Sequence, residues 1–555
     1  MKIVGLYNWH DGGYCVLEDG KIIEHIEIER YTRVKEDGGD SLQYLTNIFL
    51  ENQGIKLDDI DYWVSPCPNT NLEAGAGKKF NTHEKLPKNK IKFYSHHLCH
   101  ASHAFFSSNF KNSLILTIDS AGLEETGEAV STCGYYGSGN KIEKLFQVSN
   151  SVLSLGALWG RCTRFIFKLS SGYPRGHQAG SVMAMAALGD HSKYYDDFMN
   201  MATSDFQKVA YTPPGYKRGV YVKPEDDVVH PYLNKYREMA ATYESEKFNM
   251  AASLQKVTED ILLDIIEQTV DIAKQKGYEF ENICLAGGVS LNSVFTGKIL
   301  NLLKGKIKKV FIPPVPYDGG LSIGACQYLW YSELNNKRDY NQFVSPYLGE
   351  NYSIADIEKA INKRENKLNI VSNYSLENCV DLLIDNKIIS LFSGRSESGR
   401  RALGNRSIIA SPRDEKMKSL INKKVKHRQW YRPFAPSVLE EIGEEWFENY
   451  FPSPYMGFVF KVKKEKLGKA PAIEHFDGTA RIQSVNIDQN KNYYKLIKLF
   501  FEKTGIPMVL NTSFNDREPI CETPTHAIDC FLRTDIDYLY FYDHKILLSK
   551  KSENE

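Results

Sequence analysis

The sequence predicts a mixed α/β protein of two domains, and three observations carry that prediction. The first 30 residues read as a strand meander: KIVGLYN is apolar, HDGG turns, YCVL returns, EDG turns again and KIIEHIEIE alternates. The same strand–turn–strand grammar comes back at 113–136, where SLILTIDSAG ends in a polar turn and AVSTCGYYG follows as the next strand. Later, ENICLAGGVSLNS and VFIPPVPYDGGLSIGACQYLWY each set a glycine turn between a short strand and a helix start. A unit written twice in this way predicts two related α/β halves around a cleft.

The remaining elements follow in order. Residues 245–277 carry a long helical pattern that ends at Gly277, a suitable C-cap. Around 335–355 the chain becomes polar and takes on Pro and Gly, which places the boundary between domains of 1–345 and 346–555. Beyond it, IADIEKAINKR reads as a helix and LENCVDLLIDNKIISLFSG as a helix and strand, opening a second α/β domain. The chain of 555 residues holds 69 Lys+Arg and 69 Asp+Glu, with 42% hydrophobic residues. That composition excludes a disordered chain and a uniformly basic nucleic-acid binder. The ten cysteines form no C-x-x-C, which argues against a zinc ribbon and fits reduced thiols. With no signal peptide and no long apolar run, the reading is a soluble, cytoplasmic protein without a membrane span.

The densest chemical signal is YSHHLCHASHAFFSS. His96 and His100 stand four apart, so on a helix they share one face and are able to grip one cation. Asp119 ends the strand LILTID and Asp318 sits in the turn PYDGG; two imidazoles with one or two carboxylates suit iron(II), manganese or zinc. The competing reading is a solvated His-rich loop with both Asp as turn residues. LAGGVSLNS and YDGGLSIGA are turns whose backbone amides suit a phosphate, although such turns are also common connectors. AGAGKK at 74–79 lacks the P-loop spacing and reads as a loop. The second domain concentrates Arg395, Arg400, Arg401, Arg406, Arg413, Arg428 and Arg432 with Lys426. Interleaved Gly, Ser and Asn suggest convergence on a polyanion, against the plain alternative of a solvated basic face. Arg481 lies in DGTARIQSV, and Asn511, Ser513 and Asn515 end an apolar strand. No G-x-S-x-G, H-E-x-x-H or G-x-G-x-x-G occurs, so serine hydrolase, metalloprotease and NAD-dehydrogenase readings lack support.

Taken together, the N-terminal HD, ER-Y-T-R-V-K, HHLCHA, TIDSAG, AGGVSLN, the RALGNRSI–PRD–RPFAP block, DGTARIQSV and NTSFN resemble the NodU/CmcH family of O-carbamoyltransferases. The resemblance implies a two-lobed, TsaD-like first domain of the actin/Hsp70 superfamily and a YrdC-like second domain. It also implies ATP with Mg(II), carbamoyl phosphate, a divalent metal (iron(II) first) and a hydroxyl-bearing acceptor, small molecule or modified nucleotide in DNA. By the same resemblance His96, His100 and Asp318 bind the metal with Asp119 as ligand or close neighbour. Gly287, Gly288 and Asn292 hold an adenylate. Arg401, Arg406, Lys426, Arg432, Arg481, Asn511 and Ser513 line an activation site, and His10 and Lys35 face the acceptor. Three departures stand out: Ser398 and Arg400 replace Phe and Pro, the R-G-E-P turn is one residue short after Arg517, and Ser181 replaces a Lys. A tRNA threonylcarbamoyl-type transferase or a HypF-like carbamoylation factor is the neighbouring enzyme reading. A non-enzymatic actin-like nucleotide-binding regulator is the reading outside catalysis.

Overall fold

The computed structural model describes residues 1–66, 82–169, 178–216, 223, 225–341 and 343–551. The AGAGKK segment and the residues 172–177 of GYPRGHQAG lie outside them. The chain divides into two compact units, Met1–Val344 and Ser345–Glu555.

In the first unit, β1 (Lys2–Tyr7), β2 (Gly13–Glu18) and β3 (Lys21–Glu27) form the antiparallel meander that alternation and turn residues require. With β4 (Tyr62–Ser65) and β5 (Ile91–Phe93) they make a sheet of order β3-β2-β1-β4-β5, parallel across β1, β4 and β5. The second sheet repeats that order. β6 (Asn112–Leu123), β7 (Ala129–Ser138) and β8 (Lys141–Ser149) are the meander, and β9 (Asn282–Ala286) and β10 (Lys309–Phe311) extend it in parallel on the other side of β6. The duplicated grammar in the sequence is therefore a duplicated topology.

Two helices lie between the sheets. The His96–Ser107 helix packs on β6 and β9, the Leu321–Gln327 helix packs on β1 and β2, and the two helices pack on each other. Cys15, Cys99, Leu321 and Cys326 are wholly buried in that layer. Burying each such apolar side chain contributes about 1–3 kcal/mol. The packing also brings the N-terminal ends of both helices to the carboxyl ends of β1 and β6, where open α/β sheets place ligands. The Glu244–Gln275 helix is the long element expected before Gly277, which adopts φ +76°.

The second unit holds one eight-stranded sheet. Its strands are β11 (Leu368–Val371), β12 (Ile389–Phe392), β13 (Arg406–Ala410), β14 (Ala435–Leu439), β17 (Gln483–Val485), β18 (Met508–Ser513), β19 (Tyr538–Phe541) and β20 (Ile546–Lys550). They run in the order β11-β20-β19-β12-β13-β18-β14-β17, and β15 (Val459–Lys461) pairs separately with β16 (Thr479–Arg481). The Lys491–Thr504 helix presents Tyr493, Leu496, Ile497 and Phe500 to the core at a 3–4 residue spacing. Its N-cap Asn490 accepts from Tyr493 N at 3.0 Å and Gly505 ends it in the left-handed region. Among the described residues no helix is long and apolar enough to cross a membrane.

Candidate functional site

The His96–Ser107 helix begins at the first histidine, so His96 and His100 stand on one face a single turn apart. Opposite them, the register of β6 with β7 skips between Ile118 and Gly122, a bulge that takes Asp119 out of the ladder. Asp318 opens the single turn Asp318–Gly320 that precedes the Leu321–Gln327 helix. These three segments bring four ligand atoms of His96, His100, Asp119 and Asp318 within 4.8 Å of one another. His100 Nε2 lies 3.1 Å from Asp119 Oδ2 and 3.4 Å from Asp318 Oδ1; His96 Nε2 lies 3.4 Å and 3.8 Å from the same atoms. Four ligands about 2.1 Å from one cation stand about 3.4 Å apart at the corners of a tetrahedron, so the spacing fits a metal.

The charges agree with that reading. Burial opposes a proton on His100, but hydrogen bonds to Asp119 and Asp318 outweigh it and raise the imidazole to about 9. Burial would raise Asp119, yet the two imidazoles hold its carboxyl well below the usual range. Two carboxylates this deeply placed demand positive charge, and a divalent cation supplies it without protons. Tyr7 donates to Asp318 Oδ2 at 3.0 Å, and His10 Nε2 lies 3.5 Å from the same oxygen. His10 reaches the cluster from solvent, with 52% of its side chain exposed. Burial opposes its protonation, but Asp318 and Asp11 push it up to about 9.

The neighbouring histidines are structural. His97 Nδ1 is 2.8 Å from Thr117 Oγ1 and its Nε2 is 2.9 Å from the Val130 carbonyl. His103 Nδ1 lies 3.4 Å from Gln327 Oε1, and burial first of all holds the imidazole down at about 3. Lys35 is half-buried beyond the short Glu29–Thr32 helix. Gly287 and Gly288 follow β9, where a side chain on Gly288 would touch Asp119 Oδ1 at 3.4 Å. Asn292 is hydrogen-bonded within the first unit. Its Nδ2 donates to Gln255 Oε1 at 2.9 Å, and its Oδ1 accepts from Gln255 Nε2 at 3.1 Å and from Phe295 N at 3.2 Å, so both amide ends are engaged.

The second unit gathers a different chemistry. Lys426 Nζ donates to the carbonyls of Ser513 and Asn515, both at 2.8 Å, and lies 3.3 Å from Ser513 Oγ at the end of β18. In the same unit a set of guanidiniums crowds together. Burial lowers Arg428 well below its usual value, and Arg432 and Arg481 lower it further; burial does the same to Arg481, followed by Arg401 and Arg432. After burial, the next influences on Arg428 and Arg481 are other guanidiniums rather than carboxylates, an arrangement that suits an anion. Arg481 Nε is buried with no hydrogen-bond partner among the described residues, and so is Asn511 Oδ1. Asn511 Nδ2 donates to the Ala402 carbonyl at 3.0 Å and to Ser437 Oγ at 2.9 Å.

Arg406 corrects the sequence expectation. Its guanidinium donates to the carbonyls of Ser393 at 2.7 Å, Asn405 at 3.0 Å and Gly394 at 3.2 Å, and lies 3.5 Å over the Phe392 ring. It is fully buried and knits loops together rather than facing a ligand. The short turn after Arg517 is stitched by Asn515 Nδ2 to the Glu518 carbonyl at 2.7 Å, and Ser398 N donates to the Pro346 carbonyl at 2.7 Å. Tyr7 was missed in the sequence, because only the fold joins it to Asp318, whereas Arg428 and Asn515 stood in the marked motifs without a role of their own.

A metal-type donor set in one unit and a buried arginine cluster in the other give this two-unit α/β chain two candidate sites of different chemistry. Comparison with known sequences makes the class particular. The profile described as carbamoyltransferase N-terminus matches residues 2–74 and 72–327, and that described as carbamoyltransferase C-terminus matches residues 380–548. The chain belongs to the carbamoyltransferase family and is a carbamoyltransferase enzyme, which closes the regulator reading. It is 32% identical to Nodulation protein NolNO of Sinorhizobium fredii over 96% of this chain and 78% of that one. It is 33% identical to Nodulation protein NolO of Bradyrhizobium diazoefficiens over 80% of this chain and 77% of that one. Among solved structures, HypF of T. kodakarensis aligns with a TM-score of 0.34 and 13% identity over 59% of this chain and 48% of that one.

Proposed function

We propose that the protein is an ATP-dependent O-carbamoyltransferase that makes carbamoyl-adenylate in a YrdC-like second unit and consumes it in the first. The observation that carries this reading is the group Arg401, Arg428, Arg432 and Arg481, in the unit that also holds Lys426. Carbamoyl phosphate is a poor donor to an alcohol, and its activation brings two polyanions together; converging cations offset that repulsion. Carbamoyl phosphate and one water give carbamate and phosphate. A carbamate oxygen then attacks the α-phosphorus of ATP, the bond to the β-phosphate breaks, and magnesium pyrophosphate leaves. The bidentate forks of Arg432 and Arg481 hold the phosphates, and Lys426, fixed by Ser513 and Asn515, adds a point charge.

In the first unit the acceptor hydroxyl attacks the carbamoyl carbon, the bond to AMP breaks, and a carbamate ester and AMP are released. His10 and Lys35 face the acceptor; His10 takes the hydroxyl proton once its own imidazole is deprotonated, and Lys35 offers a charge. His96, His100, Asp119 and Asp318 are the residues that would hold a divalent cation, iron(II) first, whose chemistry is to polarise the carbamoyl oxygen or the leaving phosphate. The acceptor class is a hydroxyl on a small molecule or on a modified nucleotide. The test is nucleotide analysis of full-length protein with ATP, magnesium and carbamoyl phosphate. AMP and pyrophosphate formed only with carbamoyl phosphate support the reading; ADP as the product contradicts it.

A further inference from the structure

We propose that Trp430 and Phe476 form a base-binding subsite for the nucleotide held by the arginine cluster, with His475 Nε2 selecting a base that carries a 6-amino group. The inference rests on the nucleotide reading above and names how that site chooses its nucleotide. Trp430 is 54% exposed and Phe476 48% exposed, yet their rings meet edge to face with centroids 5.6 Å apart. Both sit on the segments that carry the cluster: Trp430 between Arg428 and Arg432, Phe476 five residues before Arg481. The Trp430 backbone is pinned, since Asn422 Nδ2 donates to the carbonyls of Trp430 at 3.3 Å and Arg432 at 2.9 Å. Lys418 Nζ lies 4.3 Å from the centre of the Phe476 ring.

A single wet aromatic residue is ordinary. A pinned aromatic pair on the segments that carry buried guanidiniums, with Arg481 close enough to act on the neighbouring His475, suits a ligand that is both flat and anionic, and a nucleotide is both. Inorganic phosphate would answer the arginines and leave the rings bare.

The hydrogen bonds around His475 set which base fits. Thr479 Oγ1 donates to Asp477 Oδ1 at 2.6 Å, so its proton is committed. His475 Nδ1, 3.0 Å from Thr479 Oγ1, must then be the donor in that pair. The neutral imidazole is left with Nε2 as a bare acceptor, buried with no partner among the described residues. Burial holds this imidazole down at about 4, so it stays neutral at physiological pH. A bare acceptor pairs with the exocyclic amino group of adenine and repels the 6-oxo group of hypoxanthine.

Calorimetric titration of the full chain with Mg-ATP, Mg-ITP and pyrophosphate tests this, counting only binding that Arg481→Ala removes. The expected result is that Trp430→Ala weakens ATP by about 5- to 150-fold and leaves pyrophosphate unchanged. Trp430→Phe retains ATP, wild type prefers ATP over ITP, and His475→Ala erases that preference. Trp430→Ala and Phe476→Leu binding ATP as wild type does, with pyrophosphate still bound, would overturn the base subsite and leave the phosphate site standing. Neither ATP nor pyrophosphate binding to wild type would overturn the nucleotide reading itself, and the subsite with it.

Discussion

Tyr7 donates a 3.0 Å hydrogen bond to Oδ2 of Asp318, joining the end of β1 to a turn 311 residues away. That bond occupies one carboxylate oxygen and leaves Oδ1 turned to His96 and His100, 3.8 and 3.4 Å away. Partners that orient a ligating carboxylate typically tune metal affinity by 10–100-fold. Tyr7→Phe keeps the ring and removes only the donor. Titration of metal-free protein with manganese or anaerobic iron(II) should show affinity lowered by roughly one to two decades, with the circular dichroism spectrum unchanged. Equal affinity would mean that Tyr7 does not orient Asp318.

Gly122 gives a second, purely steric handle. A Cβ there would lie 2.1 Å from Cδ2 of His96. Gly122→Ala must therefore displace the imidazole, since the strand backbone cannot retreat from the sheet. Metal content after purification should fall as far as it does in His96→Ala, while unfolding temperature changes little. A fully loaded Gly122→Ala protein would remove His96 from the ligand set.

Buried neutral His103 makes the protein acid-sensitive. Its imidazole is held at about 3 by burial, against an ordinary 6.5 in the unfolded chain. The unfolded state thus binds a proton that the folded state refuses, and stability is lost as pH falls below about 6.5. Between pH 7.5 and 5.5 the contribution of this one residue is about 1.4 kcal/mol. His103→Asn should lose that much less than wild type over the same interval, measured by urea unfolding. Identical pH slopes would show that another group sets the acid sensitivity.

The sequence made the local parts of this structure legible. Four-residue spacing placed His96 and His100 on one helix face, glycine turns marked the ends of β9 and the approach to Asp318, and the repeated meander announced two sheets of one topology. What escaped was decided by distant contacts. Residue type does not tell whether a guanidinium faces a ligand or a ring of carbonyls, so Arg406 passed for an anion contact although Ser393, Gly394 and Asn405 take its donors. Asn292 likewise gave no sign of its pairing with Gln255, 37 residues earlier. Tyr7 looked like one more apolar strand residue because its hydroxyl finds Asp318 only once the sheets are packed. Arg428 and Asn515 stood inside recognised motifs, where only the crowding of charges around them distinguishes their part.

The central claim is that activation and transfer belong to separate residue sets, and pyrophosphate release tests it most directly. Arg481 lies in the arginine cluster and His96 in the His–Asp cluster. Removing a charge that neutralises anions in a transition state costs about 2.7–4 kcal/mol, or two to three decades in rate. Arg481→Ala should abolish pyrophosphate release from ATP and carbamoyl phosphate, with or without acceptor. His96→Ala should still give a first-turnover pyrophosphate burst while forming little carbamoylated product. If a folded His96→Ala protein loses the burst as completely as Arg481→Ala, the two steps share one site and the account is contradicted.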